Sequence, residues 1–298
     1  VGTLRCTTND LSKQRSNMSS AMAKRSLNKM ISNKLGMIGF IVVVVMSLMS
    51  ILAPVLTNID PAVTDMANIN KAPGGLHILG TDSIGRDLFS RLLYGGRISI
   101  SIGIISALTT SFIGTIFGLI AGYFRGIVDS FLVRLSEVIQ TVPMIILVMV
   151  LVTIIGPGVR NMVLVFSLTG WMTVFRIVRN EVLRLREETY VEVNRAFGIS
   201  NGKIMFSQIL PNTLSPIIVA TTINVAFFIL SETELSFLGL GVPTNISTWG
   251  TIINGAKSLS VIENQWWLWI IPGAVISLFI MSINFFGDAL RDVLDPKN

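Results

Sequence analysis

Charged residues are scarce in this sequence, and cysteine and histidine occur once each. Charged side chains make up 13% of the 298 residues, whereas a soluble domain has about a quarter, so water is not expected to be the only solvent. The one cysteine, Cys6, excludes an intrachain disulfide. The one histidine, His77, has no second histidine or cysteine near it, so no metal site is expected. With no His/Cys cluster and no Ser–His–Asp set, no catalytic residue is expected either.

Long apolar runs occupy much of the chain instead. A helix needs about 20 mostly apolar residues to cross the hydrocarbon core of a membrane. Uncharged runs of that size lie at 35–59, 98–124, 138–159, 204–231 and 264–287. A shorter run, 161–175, is long enough if Arg176 and Arg179 extend their charged groups to the interface; otherwise it is re-entrant and five spans remain. We predict an all-α membrane protein with six transmembrane helices.

The basic residues are distributed unevenly between the segments that separate these runs. With the N-terminus inside, 17 of the 23 Lys and Arg residues fall on the inner side. This positive-inside pattern predicts that both termini are cytoplasmic. The first run is too long for the apolar region of a signal peptide and lacks a convincing cleavage site, so an uncleaved signal anchor is expected. The net charge of +6 therefore indicates contact with lipid headgroups rather than nucleic-acid binding.

The predicted organisation follows from these spans. It comprises a cytoplasmic N-terminal arm at 1–34, the first helix with an external loop at 35–97, a core of five helices at 98–290 and a cytoplasmic tail at 291–298.

The largest inner loop, 176–212, has helical periodicity. Four of its residues are spaced 7, 3 and 4 apart and share one stripe of a helix: Leu183, Tyr190, Val193 and Phe197. Gly198 can end this helix in a left-handed cap, and Ser200 or Asn201 can begin a second helix. Such a helix–glycine–helix elbow suits the transfer of force from a soluble motor to the membrane. The alternative is an ordinary amphipathic helix that lies on the headgroups.

The same loop carries a motif of a known family. Residues 190–198 and 209–212 resemble the EAA loop of ABC-importer permeases, in which an acidic and two small residues precede a glycine. A Leu-Pro follows that glycine after 12 residues. The matching residues are Glu192, Gly198, Leu210 and Pro211. The departures are Val193 and Asn194, which replace two alanines, and Gln208, which replaces an isoleucine.

Four further segments resemble one subfamily in particular. They are HILGTDSIGRD at 77–87 with GRIS at 96–99, GLIAGY at 118–123, LSFLGLG at 235–241 after Glu232, and NFFGDALRDVLDP at 284–296. On these motifs the chain is identified as a member of the oligopeptide/dipeptide (and nickel) subfamily, in its C-type transmembrane subunit. The resemblance runs from about residue 30 to residue 298.

The resemblance implies the type I ABC importer permease fold in a bacterial inner membrane, with a cytoplasmic coupling loop at 179–212. It also implies an assembly with a homologous second permease, two cytosolic ATPases and an extracytoplasmic substrate-binding protein. ATP and Mg would be bound by the ATPases, so that this chain holds no cofactor and is not an enzyme. The residues carried over to the ATPase contact are Glu192, Ala196, Phe197, Gly198, Ile199, Leu210 and Pro211.

Two further sets of charged residues are candidates for function. Asp82, Arg86 and Asp87 can either dock the binding protein or fold the external loop on itself through Asp–Arg pairs. Glu232 and Glu234 lie near the end of the fifth predicted span. They can line the substrate pathway or simply be solvated at the outer interface.

Short peptides are the expected cargo, and nickel or a metal–chelator complex is the alternative within the same machine. An ion-driven secondary transporter is a rival of another class. It would need broken helices and carboxylates in mid-bilayer, whereas the acidic residues here lie at span ends. The stretch 198–204 lacks the spacing and the Ser or Thr of a phosphate-binding loop, so ATP hydrolysis by this chain is not expected.

Overall fold

The computed structural model describes residues 33–294, and within this range the chain is mainly helical. The α-helices are α1 (Lys34–Ile51), α2 (Ala53–Leu56), α3 (Leu88–Phe124), α4 (Gly126–Gln140), α5 (Met144–Ile155), α6 (Val159–Thr169), α7 (Met172–Leu185), α8 (Thr189–Ala196), α9 (Asn201–Ile204), α10 (Leu210–Phe237), α11 (Trp249–Asn254), α12 (Leu259–Asn264) and α13 (Trp267–Leu294). A 3₁₀ turn spans Met66–Asn68 and a π turn spans Met205–Ile209. Cys6, nearly all of the predicted arm at 1–34 and the end of the predicted tail lie outside the described residues.

Five helical segments of the described chain are long and apolar enough to cross a membrane. They are α1, α3, α6 with α7, α9 through α10, and α13. A sixth is obtained if α4 and α5, which are bent by 86° relative to each other, count as one span. The predicted all-α membrane fold is confirmed, and the run 161–175 belongs to a span that α6 and α7 build together over Val159–Leu185.

The predicted third span, 138–159, is not one continuous helix. α4 ends at Gln140 and α5 begins at Met144, because Pro143 has no N–H and biases Val142 away from the helical conformation. The 12 residues of α5 rise only about 18 Å, which is less than the roughly 30 Å of a hydrocarbon core. The candidate for a broken or re-entrant span is therefore the pair α4–α5, not 161–175.

The second span also begins earlier than predicted. α3 starts at Leu88 rather than at residue 98, so the start of this 37-residue helix lies in the segment predicted as loop. The side chain of Asp87 caps it by accepting a hydrogen bond from the Ser90 N–H (2.8 Å), which satisfies one of the free donors of its first turn.

α3 is the central helix, and a ridge of glycines fixes it against α7. Gly114, Gly118 and Gly122 repeat every four residues along one face of α3. A Cβ atom on them would lie 2.9, 2.7 and 2.8 Å from the Cβ atoms of Val174, Val178 and Val182. Real Cβ atoms do not approach so closely, so only glycine permits this packing. Small residues at this spacing are the usual device by which membrane helices pack closely.

Candidate functional site

The predicted coupling residues lie on an elbow between α7 and α10. We define the coupling elbow as residues 189–204, which comprise α8, the turn after it and α9. At the end of α8, the Gly198 N–H donates to the Arg195 carbonyl (3.0 Å) and the Ile199 N–H donates to the Asn194 carbonyl (3.1 Å). This pair of bonds is a Schellman motif. Gly198 has φ +74°, so the predicted left-handed cap is confirmed.

One side of the coupling elbow is open to solvent. The Phe197 side chain is 81% exposed, and Glu192 and Ala196 are also exposed. Apart from its chain neighbours, a Cβ atom on Gly198 would meet no atom of the described residues within 4 Å. The exposed ring of Phe197 beside open backbone is available for contact with another protein.

The other side of the elbow is anchored to the spans. Val191, Ile204 and Ile209 are fully buried in an apolar cluster that includes residues of α3 and α7. Ile199 and Leu210 pack against the same cluster, whereas Pro211 is exposed at the start of α10. Apolar burial of this kind joins the elbow to the membrane helices as one packed unit.

Tyr123, at the end of α3, adds polar contacts to this anchor. Its hydroxyl donates to Asn201 Oδ1 (2.7 Å). The guanidinium of Arg195 lies 5.4 Å from the centre of its ring, at a distance that permits a cation–π interaction. Both parts of the elbow, α8 and α9, are thus connected to the same residue of α3.

Two of the departures from the family motif contact each other. Asn194 Nδ2 donates to Gln208 Oε1 (2.7 Å), so a polar pair connects α8 to the π turn. Pro211 cannot donate to the carbonyl four residues earlier, and the wider π turn lies directly before it. Asn212 Nδ2 donates to the Gln208 carbonyl (2.7 Å). The polar substitutions therefore form one local network rather than two unrelated changes.

The charged residues of the external loop are folded into the loop itself. Asp82 is buried, and it accepts hydrogen bonds from Arg86 Nε (2.8 Å) and from the backbone N–H of Arg86 (2.9 Å). Burial alone would raise the pKa of Asp82, but these hydrogen bonds and the charges of Arg91 and Arg86 hold it below its ordinary value. Asp87 binds His77 Nδ1 (2.9 Å) in addition to capping α3. A role of Asp82, Arg86 and Asp87 in docking stays a prediction.

The two candidate acidic residues of α10 have different surroundings. Glu232 is fully buried, and its carboxylate accepts hydrogen bonds from Ser99 Oγ (3.1 Å) and Ser236 Oγ (2.7 Å). Ser99 Oγ in turn accepts the Trp249 N–H (3.1 Å), so Glu232 connects α3, α10 and α11. Glu234 is exposed and lines a cavity of about 160 Å³. A substrate role stays a prediction for both.

Sequence reasoning missed a second cavity and an ion pair. A cavity of about 480 Å³ lies at the break between α4 and α5 and includes Asn224 of α10; a single asparagine in a long apolar run was the readable signal. Arg179 of α7 forms a bidentate ion pair with Asp129 of α4. Among residues 33–294, no three His, Cys, Asp or Glu side chains are grouped to hold a metal ion.

Comparison with known families gives two matches. The model of the family described as binding-protein-dependent transport system inner membrane component matches residues 114–298. The model described as the N-terminal TM domain of oligopeptide transport permease C matches residues 22–73. Together they cover the coupling elbow and the first span.

Individual proteins give the same picture. The chain is 36% identical to the oligopeptide transport system permease protein OppC of Bacillus subtilis over 95% of this chain and 92% of that protein. It is 36% identical to the dipeptide transport system permease protein DppC of Bacillus subtilis over 89% of this chain and 82% of that protein. Among solved structures, it resembles an inward-facing conformation of the MetNI methionine ABC transporter, with a TM-score of 0.58 and 18% identity over 70% of this chain and 98% of that chain. This last likeness concerns the fold.

Proposed function

Because the chain belongs to the family of binding-protein-dependent transport system inner membrane components, we propose that it forms half of the channel of an ATP-driven importer of short peptides. It is a multi-pass membrane protein and the permease component of an ABC transporter. The peptide cargo is inferred from relatives named as oligopeptide and dipeptide permeases.

The assembly that we propose has five parts. This chain pairs with a homologous second permease, two cytosolic ATPases bind ATP and Mg and perform hydrolysis, and an extracytoplasmic binding protein delivers the peptide. Both termini and the coupling elbow lie in the cytoplasm of a bacterial cell, which the positive-inside distribution supports. Closure of the ATPases then shifts the pore between inward-open and outward-open states.

The coupling elbow is the observation that carries this proposal. Phe197 stands 81% exposed next to open backbone at Gly198, while Val191 on the same helix is fully buried against α3 and α7. We assign Phe197 as the apolar contact with the ATPase. Glu192, Ala196 and Ile199 flank it, and Leu210 and Pro211 fix the exit of the chain into α10.

For the outer side, we propose that Glu234 rather than Glu232 contacts the substrate pathway. Glu234 is exposed on a cavity, whereas the Glu232 carboxylate is enclosed by Ser99 and Ser236. Asp82, Arg86 and Asp87 would contribute to binding-protein docking through the shape of the loop that they fold, because their charges are engaged with one another and with neighbouring groups.

The test is reconstitution of the complete importer in liposomes with this chain, its partner permease, both ATPases and the binding protein. We expect uptake of labelled short peptides that requires both ATP and the binding protein. ATP hydrolysis by this chain alone, or uptake of nickel in place of peptide, would contradict the proposal.

A further inference from the structure

The cavity at the break between α4 and α5 has the size of a small-molecule site. Its volume is about 480 Å³, within the range of roughly 300–1,000 Å³ that such sites occupy. Two interruptions of the helices border it: Pro143 and Met144 at the α4–α5 break, and Gly170 and Met172 at the short joint between α6 and α7. In a membrane protein, interrupted helical backbone is tolerated where it lines a cavity.

Asn224 supplies a hydrogen-bond donor to this cavity. It lies midway along α10 and lines the cavity, and its buried Nδ2 has no hydrogen-bond partner among residues 33–294. A buried amide donor without a partner is costly. It is accounted for if a ligand oxygen accepts its hydrogen bond.

Two helix N-termini add further donors. α5 begins at Met144 and α7 begins at Met172, both of which line the cavity, and neither helix has a side-chain cap. The first-turn N–H groups of a helix lack internal partners and carry the positive end of its dipole. None of the described residues that line this cavity is Asp, Glu, Lys or Arg. The cavity thus offers hydrogen-bond donors at Asn224 and at two helix starts, without a fixed negative charge that would repel a carboxylate.

A carboxylate of the protein lies at the other end of the same face. Glu234 is ten residues beyond Asn224 on α10, a rise of about 15 Å. It lines the smaller cavity of about 160 Å³, which shares Met144 and Phe227 with the larger one. An extended chain covers at most about 3.3–3.6 Å per residue, so about four or five residues span this distance.

We propose that the two cavities form one peptide-binding site within the membrane, an inference that rests on the proposed function. The terminal carboxylate of an extended peptide accepts hydrogen bonds from Asn224 Nδ2 and the N-termini of α5 and α7. The terminal ammonium pairs with Glu234. The apolar walls, which include Phe227, receive the peptide side chains without selecting among them.

The test uses the complete reconstituted importer with Cys6→Ser and a reporter cysteine. Thr173→Cys places a thiol at the exposed edge of the larger cavity, and its rate of maleimide labelling is measured with and without peptide. Thr222→Cys is the control reporter, because Thr222 lines a different groove on another face of α10. We expect a tetrapeptide with a free C-terminus to slow labelling of Thr173→Cys only. Its C-terminally amidated form should protect about tenfold less well at equal concentration, as loss of a charge-assisted hydrogen bond implies.

Two variants assign the ends of the peptide. Asn224→Leu should remove the difference between free and amidated peptides, and Glu234→Gln should remove the corresponding difference between free and N-acetylated peptides. If peptide uptake proceeds while labelling of Thr173→Cys is unchanged, or if both variants keep both differences, the site is wrong and the proposed function stands. If the unmodified importer takes up no peptide, the proposed function fails and this site fails with it.

Discussion

The substitution Gly198→Asp tests the coupling elbow most directly. Gly198 has φ +74° and ends α8, and any other residue in this left-handed conformation costs about 1–2 kcal/mol. Apart from its own chain neighbours, no atom of residues 33–294 lies within 4 Å of the position of a new Cβ, so the backbone conformation is the main cost within the described part of the subunit. This cost is small compared with the total stability of about 5–15 kcal/mol of a typical domain, so the folded subunit should tolerate the substitution.

The cost at the proposed ATPase contact is larger. An aspartate next to Phe197 would place a carboxylate against an apolar groove, where an unpaired charge is strongly disfavoured. A penalty of about 3 kcal/mol or more at this contact corresponds to about a hundredfold loss of coupled uptake. We therefore expect Gly198→Asp to insert and accumulate normally while peptide uptake falls by about that factor.

Two control variants separate charge from backbone strain. Gly198→Asn has the size and strain of the aspartate variant without its charge, and asparagine tolerates the left-handed region better than most residues. Gly126→Asp introduces the same carboxylate at another glycine with positive φ (+62°), where a Cβ atom would also meet no described atom within 4 Å apart from its chain neighbours. Membrane content is measured by immunoblot, uptake with labelled peptide, and ATPase activity on the purified complex.

The outcomes refute different parts of the reasoning. Normal uptake by Gly198→Asp would show that the elbow does not contact the ATPase at this residue. Failure of Gly198→Asp to accumulate in the membrane, while Gly126→Asp accumulates, would show that Gly198 is needed for folding. Equal losses for Gly198→Asp and Gly198→Asn would assign the effect to strain rather than to charge.

Three further predictions follow from the same structure. Asn194→Ala and Gln208→Ile should each lower the number of peptides transported per ATP. The double variant should recover this ratio, with a coupling energy of about 1 kcal/mol between the two residues. Additive losses would show that the pair is not coupled. Asp82→Ala should destabilise the complex by about 3 kcal/mol or more, since it leaves the buried Arg91 without its acidic partner. The control Asp60→Ala, at an exposed turn, should change the thermal unfolding temperature little. Equal shifts of that temperature in both variants would contradict this prediction. Because the pKa of Asp82 is lowered from 3.8, its stabilisation is full above that pH and is lost as the pH falls through the lowered value. Arg195→Cys in a Cys6→Ser background should react with a maleimide only from the cytoplasmic side. Labelling from outside would overturn the proposed orientation.

The spans could be predicted where burial in lipid alone decides the structure. Long uncharged runs identify α1, α3, α10 and α13 because no other environment accepts so much apolar surface. The α4–α5 pair was mispredicted because charged residues interrupt α4, and Asp129 among them is compensated by Arg179, which lies 50 positions away. Pro143 was the local signal for the break.

In the candidate site too, features that depend on neighbouring residues could be predicted, and features that depend on distant residues could not. The glycine cap at Gly198 depends on local backbone geometry and could be read from the sequence. The burial of Glu232 could not, because its partner Ser99 is 133 residues away. The glycine ridge at 114, 118 and 122 was readable as a small-residue repeat, but only the structure shows that α7 is the helix that packs on it.

The packing of the spans indicates how the elbow can act on the cavity. Val182 belongs to the cluster that buries Val191 of the elbow, and it also packs on Gly122 of the ridge. Since Val174, Val178 and Val182 of α7 are each seated on a glycine of α3, these two helices cannot slide past each other without losing that fit. α10 is different, because the π turn before it and Pro216 within it interrupt its hydrogen-bond ladder. The larger cavity is bordered by the α4–α5 break, the start of α7 and the middle of α10. We therefore expect a change in the angle between the packed α3–α7 pair and the interrupted α10 to change the width of this cavity.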